Sequence, residues 1–451
     1  MRSELFAGFA DWRERIWVHH KLFLPQGSLA ILAAGWSLPV LKAVSLPWFA
    51  LLLLLLVRHL RARRAAFGEN AALLAALLFL AHPLVVDGAY TFRPEMCLAS
   101  LGFASYLALE RGLARSSPAA LRGGALLAGL GVLVHLDGLV FVAAGAALLA
   151  SAGRVGRAFE FLALSLAVAS LYLADAWNAA ELETLWRQLR GDPALDEGDF
   201  SIAGAFTKLL REPQRWIRHG EDVATTVLVG GSLLIARRRL WRDHRPLLVY
   251  VAVAVCALGL LAQSKTPKYL LPLLPGLLCL VAVGSRELRE RERVWRRTGA
   301  ALFVAVLAVH ASRSWRYFHG RLDVAARHAE ALRSLPGDET VVTDLTYAFD
   351  ELPRRDLRGI WGYRIRAEAR GEDFDLAWLL EAAGADGVDL VVLDTRRDLS
   401  RRLAAELAEA LPLPWRARET GQRPAVWILS VPRVDSPGIP AKKTESPGVP
   451  R

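Results

Sequence analysis

The stretch "VDGAYTFRPEMC", residues 86–97, stands between two apolar runs, 71–86 and 96–109, each long enough to enter a bilayer. Asp87, Arg93 and Glu95 gather at that junction. A charged side chain near hydrocarbon costs about 2.5–3.5 kcal/mol on insertion scales, so such groups are kept mainly where they line a cavity or a pathway. The junction therefore predicts membrane helices that meet at an interfacial, ionic cavity.

Working outward, further apolar blocks occur at 43–57, where "WFALLLLLLV" falls, and at 123–151, 158–176, 223–236, 246–262, 269–284 and 299–310. The 451-residue chain is 53% hydrophobic, a figure that a large soluble enzyme can share, so the blocks decide the class and the total does not. Several blocks are shorter than the roughly 20 residues of a spanning helix and must lean on flanking residues or tilt. The expected fold is mainly α, a polytopic helical membrane protein of about 10–11 embedded helices. Its domains are a membrane domain over 1–312, a small C-terminal α/β domain over 313–432 and a disordered tail over 433–451.

A net charge of +11 is the kind of excess that nucleic-acid binders carry, but its placement follows topology instead. Arginines cluster in alternate short loops: Arg58, Arg61, Arg63 and Arg64; Arg111, Arg115 and Arg122; Arg154 and Arg157; Arg237 to Arg239 with Arg242 and Arg245; and the run "SRELRERERVWRR" at 285–297. By the positive-inside rule these loops are cytoplasmic. The loops at 87–95, 177–222 and 263–268, and everything after 311, are then external. The region 123–151 joins two inside loops, so it must dip in and return, turning near "VHLDGL" at 134–139. The implied location is the cytoplasmic (inner) membrane, with the C-terminal domain extracytoplasmic.

Residues 1–26 are polar and aromatic and lead into "FLPQGSLAILAAGW", whose apolar run is too short and too broken to span. An interfacial helix is expected there, with the start of the chain external and no spanning helix before it. In the loop 177–222, Trp177, Trp186 and Trp216 mark a headgroup-level anchor and predict one or two helices lying flat. Farther on, "ETVVTD" (339–344), "VDLVVLD" (388–394) and "AVWILSV" (425–431) have the pattern of buried strands, separated by helical stretches near 322–334, 373–384 and 397–411. The tail repeats a Ser-Pro-Gly phrase at 436–438 and 446–448. Cys97, Cys256 and Cys279 all lie in apolar blocks, which argues against a disulfide framework, and no metal-ligand spacing such as CxxC or HExxH occurs.

Three groups of polar residues converge on the external side: His82, Asp87, Arg93 and Glu95; then His135 and Asp137 at the turn of the dipping hairpin; then Lys265, Lys268 and Tyr269 in "SKTPKYLLPLLP". Arg and Lys suit a phosphate, and carboxylates suit general base work or hydroxyl binding. A lipid-linked phosphate donor would enter sideways from the bilayer and bring its head to this depth. Plainer readings stand beside these. Arg93 and Glu95 can form a local ion pair, Lys265 and Lys268 can snorkel at a helix end, and His135 with Asp137 can be a structural hydrogen-bonded pair. His19, His20 and Lys21 have the setting of ordinary surface groups.

At these positions the chain resembles the polytopic membrane glycosyltransferases of the GT-C type, in the protein mannosyltransferase and lipid A aminoarabinose transferase group. The likeness runs from about residue 11 to 284. It rests on a helix ending in a basic loop followed by a rising helix and the triplet Arg93, Pro94, Glu95; on the short hairpin "GLGVLVHLDGLVFVAAGAALL"; and on "SKTPKYLLPLLPGLLCLVAVG". That last phrase is similar to a Lys-x-Pro-x-Tyr motif through Lys265, Pro267 and, one place displaced, Lys268 and Tyr269.

The resemblance implies transfer of a sugar from a polyprenyl-phosphate donor to a glycan, lipid or protein acceptor on the outer face of the membrane, by direct displacement at the anomeric carbon. It implies donor-phosphate binding by Arg93, Lys265, Lys268 and Tyr269. Sugar or acceptor contacts would fall to His82, Asp87, His135 and Asp137, and catalytic roles to Glu95 and Asp11. It makes no cofactor certain beyond the polyprenyl-phosphate-linked sugar as donor substrate, and it leaves the part of a divalent metal open. Members of the group begin with a spanning helix and an acidic external loop before a Gly-Asp-Trp-like phrase, which "FADWRER" at 9–15 echoes. Asp11 lies too near the start for both to precede it, so Glu4 or Asp11 substitutes, the chain is shortened, or it is inactive. Two other readings compete: a transporter or flippase of lipid-linked saccharide, which internal repeats would favour, and a silent GT-C-like scaffold.

Overall fold

The residue preceding a proline is sterically pushed out of the helical region, and that rule shapes the junction with which the sequence opened. In the computed structural model, which describes residues 20–174, 178–190, 202–261, 266–333, 339–343, 356–395, 398–408, 411, 414–419 and 426–431, His82 precedes Pro83 and is extended. The apolar helix Ala71–Ala81 stops there and Pro83–Tyr90 sets off at 63° to it. His82 caps the new helix by accepting the Leu84 N–H at 3.2 Å. Of the sequence expectations, Asp11, Lys265, Trp177 and the tail lie outside the described residues.

The chain divides into two compact units, one comprising Gly8–Ala329 and the other including Glu330–Arg451. In the first, α1 (Phe23–Ala34) and α2 (Leu38–Ala43) precede α3 (Ser45–Ala62), α4 (Arg64–Phe67), α5 (Ala71–Ala81), α6 (Pro83–Tyr90) and α7 (Glu95–Arg115). α8 (Pro118–Val134) and α9 (Leu139–Ser151) are joined by a 3-10 turn at Leu136–Gly138, where the hairpin turn is expected. α10 (Val155–Ala169) follows, and then α11 (Ala179–Arg190), α12 (Ile202–Leu210) and α13 (Pro213–Trp216), three helices where the tryptophans predict one or two. α14 (Gly220–Asp243) and α15 (Arg245–Leu261) meet at a 119° bend beside His244. A 3-10 segment, Pro267–Leu273, leads into α16 (Leu274–Arg289), and α17 covers Arg293–Arg333.

Among the described residues, four helical stretches are long and apolar enough to cross a membrane: Leu38–Ala62, Val155–Leu173, Pro267–Arg289 and Arg293–Gly320. The two bent pairs raise that to six, and shorter apolar helices, α1, α8 and Leu136–Ser151, carry further blocks. The chain is a multi-pass helical membrane protein. α7 and α16 form its centre: Met96, Cys97, Leu98 and Leu109 of α7 and Leu277, Cys279 and Val283 of α16 are all buried. α17 is the opposite case, with only 11% of its apolar window buried.

In the second unit, β1 (Val341–Thr343), β2 (Leu357–Gly359), β3 (Leu390–Asp394), β4 (Arg416–Glu419) and β5 (Val426–Ser430) form one sheet in the order β2-β1-β3-β5-β4. β1 is parallel to β2 and β3, whereas β5 runs antiparallel to both β3 and β4. Alternation divides the strands between two apolar clusters. Val342, Val391, Leu393 and Leu429 pack with α18 (Ile360–Ala369), α19 (Leu376–Ala385) and α20 (Asp398–Ala405), and Val341, Leu390, Val392, Val426 and Ile428 form the other face.

Candidate functional site

Arg93 is fixed first by its near neighbour in sequence. Glu95 opens α7, where a carboxylate suits the positive end of the helix dipole. From there both of its oxygens accept from Arg93, Nη2 at 2.6 Å and Nε at 3.2 Å. The glutamate is buried, and the arginine keeps about a third of its side chain open, at 34% exposure. The pairing is local, as the plainer reading had it, but it leaves a forked cation presented at the α6–α7 junction.

Two other segments bring their polar groups to the same place. At the α8–α9 turn His135 is extended and its Nδ1 accepts the Asp137 N–H at 3.1 Å, with the Asp137 carboxylate 3.3 Å away. The turn is tight enough that Gly138 lies directly against the backbone of Gly131. His135 lies within electrostatic reach of Glu95, and its ring is edge-on to Tyr269 at 6.2 Å. Lys268, on the 3-10 segment before α16, holds its ammonium 5.0 Å from the Tyr269 ring and interacts electrostatically with Arg93, Glu95, Asp137 and Asp87. Asp87, from α6, accepts the Tyr317 hydroxyl of α17. Seven of the sequence candidates thus share one neighbourhood: Asp87, Arg93, Glu95, His135, Asp137, Lys268 and Tyr269.

His82 does not join them. Its Nε2 is 3.1 Å from the Thr225 hydroxyl, which in turn lies 3.1 Å from Nε2 of His310, and the two imidazoles pack at 4.5 Å. With its other nitrogen capping α6, this histidine is committed to holding α6, α14 and α17 together.

Two features escaped the sequence reading. Arg215 is wholly buried on α13, paired with Glu212 at 2.8 Å; it donates to the Thr266 carbonyl at 3.3 Å and lies over the Tyr269 ring at 5.4 Å. It therefore secures the segment that presents Lys268 and Tyr269. His20, expected as a surface group, stacks on His135 at 4.9 Å. Neither sits in an apolar run, so neither carried a signal in the sequence. Among the described residues no group of three or more His, Cys, Asp or Glu side chains could hold a metal ion.

Chemically, the site offers two adjacent cations, Arg93 and Lys268, beside carboxylates and imidazole, all drawn from helix ends. Cationic groups so placed can take the charge of a leaving phosphate, and carboxylates beside them can hold hydroxyl groups.

The architecture that carries this cluster is a GT-C-like helical membrane fold. The chain aligns with ArnT from Cupriavidus metallidurans in its apo state at a TM-score of 0.55, with 14% identity over 95% of this chain and 91% of that one. The same protein bound to undecaprenyl phosphate aligns at 0.54, with 13% identity over 98% and 93%. AglB, an oligosaccharyltransferase from Archaeoglobus fulgidus, aligns at 0.45, with 14% identity over 96% and 70%. By sequence, no family model matches the chain and no curated protein does.

Proposed function

We propose that the chain is a membrane glycosyltransferase that moves a sugar from a polyprenyl-phosphate carrier to a lipid, glycan or protein acceptor on the extracytoplasmic side of the membrane. The observation that carries this reading is the meeting of Arg93 and Lys268 with Asp87, Glu95, His135 and Asp137 at helix ends drawn from three separate segments. The fold adds support, because ArnT, which shares it, has been crystallised with undecaprenyl phosphate.

In the proposed reaction the acceptor attacks the anomeric carbon, the bond from that carbon to the phosphate oxygen breaks, and free polyprenyl phosphate departs. Arg93 and Lys268, with Lys265 and Tyr269 close to Lys268 in the chain, receive the phosphate charge. Glu95 accepts from Nε and Nη2 of Arg93, which suits it to aiming the guanidinium better than to accepting a proton. The base is then sought in Asp11, and His135, Asp137 and Asp87 are left to hold sugar or acceptor. The positive-inside pattern of the arginine loops supports an inner-membrane location with this cluster and the sheet-bearing domain outside.

Membranes containing the protein are expected to release free polyprenyl phosphate from a labelled polyprenyl-phosphate sugar. Arg93→Ala and Lys268→Ala are each expected to reduce that release by at least 100-fold, about 2.7 kcal/mol of lost transition-state stabilisation. Unchanged turnover in both variants would remove the phosphate assignment.

A further inference from the structure

α17 is the least buried of the apolar spans, yet it reaches the site helices through side chains spaced for one face. His310 meets Thr225 and the His82 ring, the Ser314 hydroxyl donates to the Ala81 carbonyl at 2.7 Å, and the Tyr317 hydroxyl donates to the Asp87 carboxylate. Positions 310, 314 and 317 follow the i, i+4, i+7 pattern, so they form a single polar stripe. Beside it Arg313 pairs with Glu221 of α14 at 3.0 Å. Two of the stripe residues, His310 and Ser314, meet the α5–α6 joint, where His82 and Pro83 break the helix and leave the direction of α6 to be set by what packs against it, and Tyr317 meets α6 itself farther along.

What α6 carries makes this consequential. Asp87 lies within electrostatic reach of both Arg93 and Lys268. Its backbone carbonyl is already taken by the Thr91 hydroxyl at 2.6 Å, which secures the turn toward Arg93 but not the direction of the carboxylate. The Tyr317 hydroxyl donates to that carboxylate.

We propose that Tyr317 is a positioning residue, acting from α17 through Asp87 to set the carboxylate against Arg93 and Lys268, and so to fix the charge that an incoming phosphate meets. A carboxylate free to turn onto Arg93 or Lys268 would compete with the phosphate for the same donors. One that already accepts a hydrogen bond from a phenol neutralises less of them. This inference rests on the glycosyltransferase reading, because it concerns the affinity of that same site for a lipid-linked phosphate.

The test uses the full chain in nanodiscs and measures polyprenyl-phosphate affinity together with the thermal unfolding midpoint for four proteins: unaltered, Tyr317→Phe, Asp87→Asn and the double variant. Tyr317→Phe keeps the ring and loses only the hydroxyl. It is expected to weaken binding about tenfold while leaving the midpoint unchanged, and the loss is expected to vanish in the Asp87→Asn background, where no carboxylate remains to be aimed. Ser314→Ala, which removes a stripe contact without touching Asp87, is expected to bind as the unaltered chain does. Equal binding by the unaltered chain and Tyr317→Phe overturns the inference alone. So does a lowered midpoint with unchanged affinity, which would mark the tyrosine as structural. Absence of polyprenyl-phosphate binding by the unaltered chain overturns the functional reading, and this inference with it.

Discussion

At the scale of single residues, the same physical event, a charge taken out of water, has three different outcomes in this chain. Arg93 and Glu95 satisfy each other and leave a cation presented, Glu212 and Arg215 close on each other within the core, and in the sheet-bearing unit Asp386 is shared between two arginines. Burial alone would raise the Asp386 pKa, but the Arg366 hydrogen bond and the charges of Arg366 and Arg358 outweigh it, holding the carboxyl below the ordinary range. A lowered folded-state pKa contributes stability that is fully present above the unfolded value of about 3.9 and lost as pH falls through the folded one. Tryptophan-fluorescence melts of the full chain should therefore show an acid-side loss in the sheet-bearing unit, confined below about pH 4, that Asp386→Asn removes. An acid limb identical in the two proteins would show that the pair contributes nothing. The Arg93 and Glu95 pair, His135 with Asp137, and Lys268 were legible because each interrupts or borders an apolar run. Arg215 and Tyr317 were not, because they stand among many other polar and aromatic residues, and only packing singles them out.

At the scale of elements, helix ends do most of the positioning, and glycine permits two of the closest approaches. A Cβ on Gly138 would fall 2.3–2.6 Å from the backbone of Gly131 and Val132, whereas one on Gly102 would fall 2.3–2.6 Å from the Phe141 ring. A ring can swing and a main chain cannot. Gly102→Ala should cost about 1–3 kcal/mol, as overpacking usually does, whereas Gly138→Ala should lower the thermal midpoint further and displace His135 and Asp137. Equal midpoints for the two variants would contradict the rigid contact at the α8–α9 turn. That turn was readable in advance because His135 and Asp137 break an otherwise apolar stretch. β1, β3 and β5 were readable too, as apolar runs buried within the sheet. β2 and β4 were not: at the edges of the sheet, three residues and the polar "RARE" at 416–419 carry little of the alternation that marks a strand. α18 begins directly after β2 and mixes arginine with aromatic residues, so no apolar face announced it.

At the scale of the whole molecule, the arginine loops and the ionic cluster should lie on opposite sides of the bilayer. On a background lacking Cys97, Cys256 and Cys279, an impermeant maleimide is expected to label Asn178→Cys in intact cells and Arg154→Cys only after lysis. The reverse order would invert the topology and move the site to the cytoplasm. Attachment differs as sharply as sidedness. The span Pro267–Arg289, which contains α16, is packed in by its apolar side chains, with 78% of its apolar window buried, whereas α17 leans on a row of hydroxyl, imidazole and guanidinium contacts. Hydrocarbon offers such groups no rival partners, but polar detergents and short-chain alcohols do. Harsh extraction would therefore loosen α17 first and part Tyr317 from Asp87 while the rest of the bundle stayed folded, so a preparation could keep its shape by every bulk measure and still lose the lipid-phosphate binding proposed above.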